Sequence, residues 1–388
     1  MMRGEEKGEE KGEEKGEEKG EERAAWVMIL PLPQPLPLPG KKKKWGVGSS
    51  QANEHGSESE IYAHCSTSRI TSEQNKLVKV AERLRTNSGF RKKNGYAIVN
   101  SKLTLQDLLR GDQGNAVIKA GLRSVEVLFV SDTICGADKE TETTDNDESD
   151  DLSKITSLAI HDEILSMTKL IIFASRPVLK KVSGIDNVGS NTVAAIVELP
   201  SYCYYPNFFD SWMSIYEKDK SLEDGRNLLV LDGIQDPGNL GTLLRTATAF
   251  GWRHVCLLQD CCDPFNDKAL RGGRGAQWCL NLICESWGKD EHNIIWKGLR
   301  DLCTSHDLQL VAADARGQDV HKYLAKLRQY REEGQRHNVC LILGSEGQGL
   351  SEETKLQPGI NFVSLSMEPS VESLNVSIAG GVLMYLFK

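Results

Sequence analysis

From residue 226 onward, short apolar runs alternate with amphipathic stretches, and the alternation predicts an order of elements. Apolar runs bounded by Gly, Asn or Asp read as buried strands at residues 227–231, 254–258, 309–313, 338–343 and 362–366. Between them, helical periodicity covers 240–250, 294–305, 320–331, 351–356 and 373–387. In the first of these helices Leu240, Leu243, Leu244, Ala247 and Phe250 share one face, which leaves Thr242, Arg245 and Ala249 pointing elsewhere. Strands alternating with helices imply an α/β fold with a mostly parallel sheet covered on both faces. Residues 70–200 mix the two periods differently. Helices are expected at 73–84, 103–109 and 161–168, and strands at 125–130 and 192–198, where Val193, Ala195 and Val197 alternate. That pattern suits a smaller N-terminal α/β domain at 70–200, joined through a linker at 201–225 to the domain at 226–388.

Two segments lie outside any such pattern. Residues 1–22 repeat Gly-Glu-Glu-Lys, residues 31–39 alternate Pro and Leu, and residues 41–44 are four lysines, so residues 1–69 form a low-complexity segment expected to be disordered. An acidic start argues against an organelle-targeting peptide beginning at Met1. Translation from Met28 would instead expose a leader of Pro, Leu, Lys and Ser suited to a chloroplast or mitochondrion; otherwise a cytoplasmic or nuclear location is expected, with the lysine run serving as a nuclear address or as a solvated linker. Residues 132–151 carry nine acids against Lys139 and read as a surface-loop insertion in the smaller domain.

These segments account for the sign of the charge. The chain carries −8, of which residues 1–23 hold −4 and residues 132–151 hold −8, leaving +4 for the remainder. The folded portion is mildly basic, which permits contact with a phosphate backbone without demonstrating it. No apolar run reaches the ~18–20 residues that span a bilayer, so no membrane partner is expected. The ten cysteines show no C-x-x-C pair and no His at ligand spacing, so no metal site is expected and the thiols read as reduced.

Candidate chemistry gathers at three loops that follow buried strands. Residues 338–343 spill into Gly344-Ser345-Glu346-Gly347-Gln348-Gly349, and 362–367 lead through Glu372-Ser373-Leu374-Asn375 into the closing helix. The third loop, 232–239, precedes the helix that carries Arg245, with Asn239 near its positive end. Polar loops at strand ends are where α/β proteins place ligands. The pattern alone predicts an ordinary unknotted, doubly wound sheet.

In these loops the chain resembles the SpoU (TrmH-like) family of RNA 2′-O-ribose methyltransferases. The family motifs N-x-G-x-x-x-R-T-A, G-S/A-E-G-x-G and S-L-N-V-S-x-A stand at residues 239–247, 344–349 and 373–379, in the family's order. Upstream, Ile70-Thr71-Ser72, Asn75, Lys79, the basic run Arg91-Lys92-Lys93 and the strand 125–130 are similar to the substrate-binding domain that precedes the catalytic domain in many members. The resemblance implies a trefoil-knotted C-terminal methyltransferase domain, a homodimer, S-adenosyl-L-methionine as cofactor, and rRNA or tRNA as partner. It casts Arg245 as activator of the 2′-hydroxyl, assisted by Ser373, with Asn239, Glu346 and Asn375 ordering the site. Leu343, Gly344, Leu365, Met367 and Leu374 would hold the cofactor, largely through main-chain groups, with Gly344 leaving room for the ligand. Arg91, Lys92, Lys93, Arg271 and Arg274 would contact RNA. An arginine with a pKa above ~12 is a poor base alone, so whether Arg245 takes the proton or only stabilises the alkoxide stays open. Leu365 and Leu374 also read as plain core residues, Glu346 as a cap for the helix 351–356, and Asn375 as a first-turn residue of the last helix. The chain departs from the family pattern at Gly273, where serine is common, at Ser366, where proline is common, and at Val99-Asn100-Ser101 in place of Val-Glu-Gly.

Two rival classes remain to be weighed. A dinucleotide-dependent oxidoreductase lacks its G-x-G-x-x-G after the first strand, and residues 344–349 space their glycines as G-x-x-G-x-G late in the chain. A catalytically inactive RNA-binding scaffold of the same fold would have no chemical reason to keep Asn239, Arg245, Glu346, Ser373 and Asn375 together.

Overall fold

The computed structural model describes residues 66–110, 124–132, 160, 162–200, 216, 227–284, 292–332 and 338–388. The low-complexity segment up to residue 65, the acidic insertion beyond Asp132 and all of the linker except Tyr216 lie outside the described residues. No helix among those described is long and apolar enough to cross a membrane.

The smaller domain runs β1 (Ser66–Ile70), α1 (Lys76–Thr86), α2 (Ser88–Asn94), β2 (Tyr96–Val99), α3 (Lys102–Arg110), β3 (Val125–Ser131), α4 (Asp162–Ser166), β4 (Leu170–Ala174), α5 (Arg176–Ser183) and β5 (Val193–Glu198). Its five strands are ordered β1-β4-β3-β5-β2, with β1, β4 and β3 mutually parallel and β5 antiparallel to β3 and β2. Strand β1 thus includes residues 66–69, which the sequence pattern assigned to the low-complexity segment. Helix α1 starts where Asn75 accepts the Leu77 N–H at 2.8 Å, and it buries Leu77, Val78, Ala81 and Leu84. Asn87 both ends α1 and caps α2, its Oδ1 accepting from Phe90 N at 2.7 Å. The sequence pattern did not separate α2, β2, β4 or α5, because β2 and β4 are short, buried runs without alternation and the two helices follow them too closely to show a period.

The larger domain runs β6 (Leu228–Asp232), α6 (Pro237–Ala249), β7 (His254–Leu257), α7 (Asp267–Gly273), β8 (Asn281–Cys284), α8 (His292–Ser305), β9 (Leu308–Asp319), α9 (Val320–Glu332), β10 (Asn338–Gly344), α10 (Glu352–Lys355), β11 (Asn361–Ser364) and α11 (Val376–Leu386). All its strands are parallel, in the order β11-β9-β10-β6-β7-β8. The central strands are buried on both faces: Leu229, Leu231, Leu341 and Leu343 belong to one core, and Leu228, Val230, Cys340 and Ile342 to the other. Two expectations are corrected. Strand β9 is longer than 309–313, because residues past Ala313 turn out and return to pair Gln318 and Asp319 with Val363 and Ser364. Gly317 permits this, since a Cβ there would lie 2.6 Å from the backbone of Phe362 and Val363. Helix α11 starts at Val376, so Ser373 and Leu374 belong to the loop before it.

This order sets the site. From β6 the chain moves outward through β7 and β8, then crosses to β9 and returns to insert β10 beside β6. The loops leaving the ends of β6 and β10 consequently part in opposite directions, and the crevice between them is the usual ligand position in an open parallel sheet. After β11 the chain crosses back from the sheet edge, and α11 packs along α6. The two helices run parallel: a Cβ on Gly380 would lie 2.6 Å from Leu243 Cδ2, Gly381 faces Thr246, and the rings of Tyr385 and Phe250 are 5.6 Å apart.

Candidate active site

The end of β6 and the start of α6 form the first corner. Asp232, buried and in register with Gly344, accepts the Ser351 N–H at 2.7 Å and so ties the exit of the β10 loop to β6. Cys261 braces the turn that follows: its thiol donates to Leu231 O and accepts from Ile234 N, both at 3.3 Å. Burial pushes that thiol well above its ordinary range and raises neighbouring Cys262 to about 12, so both are protonated at neutral pH. Helix α6 opens at Asp236, whose Oδ1 accepts from Asn239 N at 2.8 Å, with Pro237 in the first helical position. Asn239 therefore lies inside the first turn rather than capping it, and its side chain is released for contacts across the crevice.

The β10 loop is the second corner. Ser345 and Gly349 exchange backbone hydrogen bonds of 2.9 and 3.0 Å, which closes the loop on itself. The glycine at 344 is required for this closure. A Cβ there would lie 2.3 to 2.4 Å from the Gly349–Leu350 backbone, so the chain's own fold by itself requires glycine at this position. Glu346 projects into solvent from the tip.

The third corner is the start of α11. Asn375 is its N-cap, with Oδ1 accepting from Ser377 N at 3.0 Å. The reading of Asn375 as a first-turn residue is thus displaced by one position. Glu346 Oε1 accepts from Asn239 Nδ2 at 2.8 Å, from Asn375 Nδ2, and from Val376 N at 3.3 Å. Asn375 Nδ2 also donates to Asn239 Oδ1 at 3.0 Å. Three segments far apart in sequence meet through these side chains. Glu346 does cap a helix, but it is α11; α10 is capped by Ser351, whose Oγ accepts from Thr354 N. A carboxylate beside the first turns of two parallel helices sits where both dipoles favour it.

The remaining expected residues fall into place unevenly. Arg245 is exposed on α6, about 9 Å along the axis from Asn239 at 1.5 Å per residue, with no ion-pair partner among the described residues. Ser373 is exposed in the loop before α11. Leu343 is core, touching Gly380 of α11, so only its main chain faces the crevice. Leu365 and Met367 are half-buried in the crossing segment, and Leu374 is 38% exposed, which removes it from the core. Ser364 and Ser366 stitch that segment down, donating to Gly317 O at 2.9 Å and to Asp319 Oδ2.

Among the expected RNA contacts, Lys92 and Lys93 are exposed on α2. Arg271 pairs with Asp267 at 3.2 Å and Arg274 with Asp107 at 2.6 Å, and both remain partly exposed. Arg91 is corrected: it is 2% exposed, and its guanidinium is committed to Asp263, Leu84 O and Arg85 O. Its place within a basic run hid an inward orientation. Cys261, Asp232 and Ser351 were not singled out for the site from sequence, because the contacts by which they brace it reach partners at least 27 residues away. No group of three or more His, Cys, Asp or Glu among the described residues is placed to hold a metal ion.

Comparison with known proteins bears on the larger domain. Residues 226–385 match the SpoU rRNA Methylase family. An uncharacterised tRNA/rRNA methyltransferase of Synechocystis is 37% identical over 157 residues, covering 40% of this chain and 51% of that protein. A 23S rRNA guanosine 2′-O-methyltransferase of Bacillus subtilis is 28% identical over 170 residues, covering 43% of this chain and 60% of that protein. The chain thus spans between half and two thirds of these relatives. The crystal structure of an AdoMet-bound rRNA methyltransferase from Sinorhizobium meliloti superposes with a TM-score of 0.56 at 20% identity, over 82% of this chain and 97% of that one, which shows a shared fold.

Proposed function

We propose, from the match of residues 226–385 to the SpoU rRNA Methylase family, that this chain methylates a ribose 2′-hydroxyl of rRNA or tRNA, using S-adenosyl-L-methionine. The observation that carries the proposal is the meeting of Asn239, Glu346 and Asn375 at the β6–β10 crevice, with Arg245 one helix face away.

The residues fit the cofactor. Leu365 and Met367 are half-buried in the crossing segment, Leu374 is 38% exposed before α11, and the β10 loop follows Leu343 and Gly344; apolar side chains beside main-chain groups suit an adenosine. When bound, the group supplies an activated methyl on a cationic sulfur. The chain's own task is then alignment, which is worth up to ~7–11 kcal/mol, together with handling of the hydroxyl proton. A guanidinium serves as a cation and not as a base, so Arg245 would orient the hydroxyl and stabilise the developing alkoxide, while the hydroxyl proton passes to a phosphate oxygen of the RNA or to water as the sulfonium becomes a neutral thioether. Ser373, exposed in the loop before α11, would assist that contact, while Asn239 and Asn375 keep Glu346 fixed. Lys92, Lys93, Arg271 and Arg274 hold the RNA backbone.

We further propose that the crossing segment threads through a loop to make a trefoil knot, and that two copies pair along α11. Ile378, Val382 and Tyr385 are 56%, 40% and 64% exposed at i, i+4 and i+7, an apolar stripe on one face of that helix. A second copy of the chain would cover it.

Incubation with methyl-tritiated donor and RNA fractions, followed by mapping of alkali-resistant linkages, tests the reaction. The expected product is a methylated ribose, lost in Arg245→Ala. Methylation of a base, or RNA binding without cofactor binding, would contradict the proposal; the latter would identify a scaffold.

A further inference from the structure

Arg91 and Asp263 lie 172 residues apart and meet in the seam between the two domains. They are 2% and 8% exposed. Arg91 Nε and Nη2 donate to Asp263 Oδ2 at 2.9 and 2.6 Å, while Nη1 donates to Leu84 O and Arg85 O at 2.7 and 2.8 Å. One guanidinium thus closes the last turn of α1 in its own domain and grips the other domain. Asp263 is held from several sides as well: Phe265 N donates to its Oδ1 at 2.9 Å, and Ser88 hydrogen-bonds to the carboxylate. The same seam contains the ion pair Arg274–Asp107 and the hydrogen bond from Trp278 Nε1 to Glu198 O at 3.0 Å. A buried pair of this kind is directional. It fixes an angle as well as a distance, which an apolar contact does not.

From Asp263 the contact passes to the motif helix through backbone. Buried Gln277 donates through Nε2 to Pro264 O at 2.9 Å and to Ala269 O at 3.2 Å, fixing the approach to α7. Helix α7 then lies directly on α6. A Cβ on Gly241 would be 2.3 Å from Ala269 O and 2.7 Å from Gly273 N, and one on Gly272 would be 3.1 Å from Gly238 O. With glycines on both sides, no side chain is interposed to absorb a displacement. Gly238 and Gly241 flank Asn239 on the helix that carries Arg245.

We infer that Arg91 and Asp263 are a positioning pair, which locks the smaller domain at one distance and angle to α6 so that RNA held on it presents its ribose to Arg245. Lys92 and Lys93 are exposed on the same helix as Arg91, so a phosphate contact there is made within one or two residues of the lock. The inference rests on the reading of the site as an RNA methyltransferase. It assigns Arg91 a role through other residues and no contact with substrate.

The test uses the full chain with Arg91→Met and Asp263→Leu combined, which fills the seam without leaving a lone charge buried. Arg91→Lys serves as a second variant, keeping the charge while losing the forked contact. Two readouts are taken. Calorimetric unfolding is expected to be one transition for the native chain and two for the double variant. In steady state, kcat/KM for RNA is expected to fall about tenfold in both variants, with the loss carried mainly by kcat, while the calorimetric affinity for S-adenosylmethionine stays within about twofold of native. An unchanged kcat/KM for RNA in the folded double variant overturns the inference, as does a parallel fall in cofactor affinity, which would mark a merely structural role. Should the native chain transfer no methyl to any RNA, the proposed function fails; the number of unfolding transitions would still decide whether the pair couples the domains.

Discussion

Two polar junctions tie distant segments of this chain, and they are built on opposite terms. At the motif corner Asn239, Glu346 and Asn375 meet in contact with solvent, linked by two carboxamide-to-carboxylate hydrogen bonds and one between the carboxamides. At the domain seam Arg91 and Asp263 meet almost without water, with further donors arranged around the carboxylate. An exposed carboxylate stays solvated, so it loses little when a partner is removed and remains open to a ligand. A buried ion pair has surrendered its hydration, so it serves only its partner and punishes the loss of either member. On the proposed function, the difference would separate residues open to a ligand from residues that hold the two domains in place.

The sharpest way to break the comparison is to truncate one member of the buried pair. Asp263→Ala leaves Arg91 charged and dry, and should lower the free energy of unfolding in urea by about 3–5 kcal/mol. Glu346→Gln at the exposed junction should change it by no more than ~0.5 kcal/mol. Equal effects would erase the distinction.

Acid gives a gentler probe of the same pair. Burial alone would raise the Asp263 carboxyl, but the Arg91 charge and the hydrogen bonds from Ser88, Phe265 and Arg91 outweigh it and hold the group below its ordinary range. A depressed folded-state value contributes stability that is present above the unfolded value of ~3.9 and is lost as pH falls through the folded one. Native protein should therefore lose unfolding free energy below about pH 4 more steeply than the Arg91→Met, Asp263→Leu double variant. Matching acid limbs in the two proteins would show that the seam does not titrate as described.

How much of this was legible from sequence divides along the same line. The motif corner was, because its residues stand in short polar runs at the ends of apolar strands, and that position is a local pattern. Even there, partners were not legible: Glu346 looked like a cap for the helix that follows it, yet it caps α11, 30 residues on. For Gly344 the sequence showed no sign of a second constraint, since only the folded loop brings Gly349 against it. The seam was hidden. Arg91 stands in a run of three cations, and nothing local says that one of them points inward to a carboxylate far along the chain. The start of α11 was placed early because apolar periodicity extends back through Leu374, whereas Asn375 followed by an apolar run is the usual sign of an N-cap.

The claim on which the functional reading depends is that the three corners act as one unit, and a double-mutant cycle on methyl transfer tests it most directly. Glu346→Gln and Asn375→Ala are each expected to lower kcat/KM about tenfold, and together to cost little more than the worse of the two, a coupling of roughly 1 kcal/mol. Losses that add to within ~0.3–0.5 kcal/mol would mean that these residues serve separate purposes and that their meeting at the crevice is incidental.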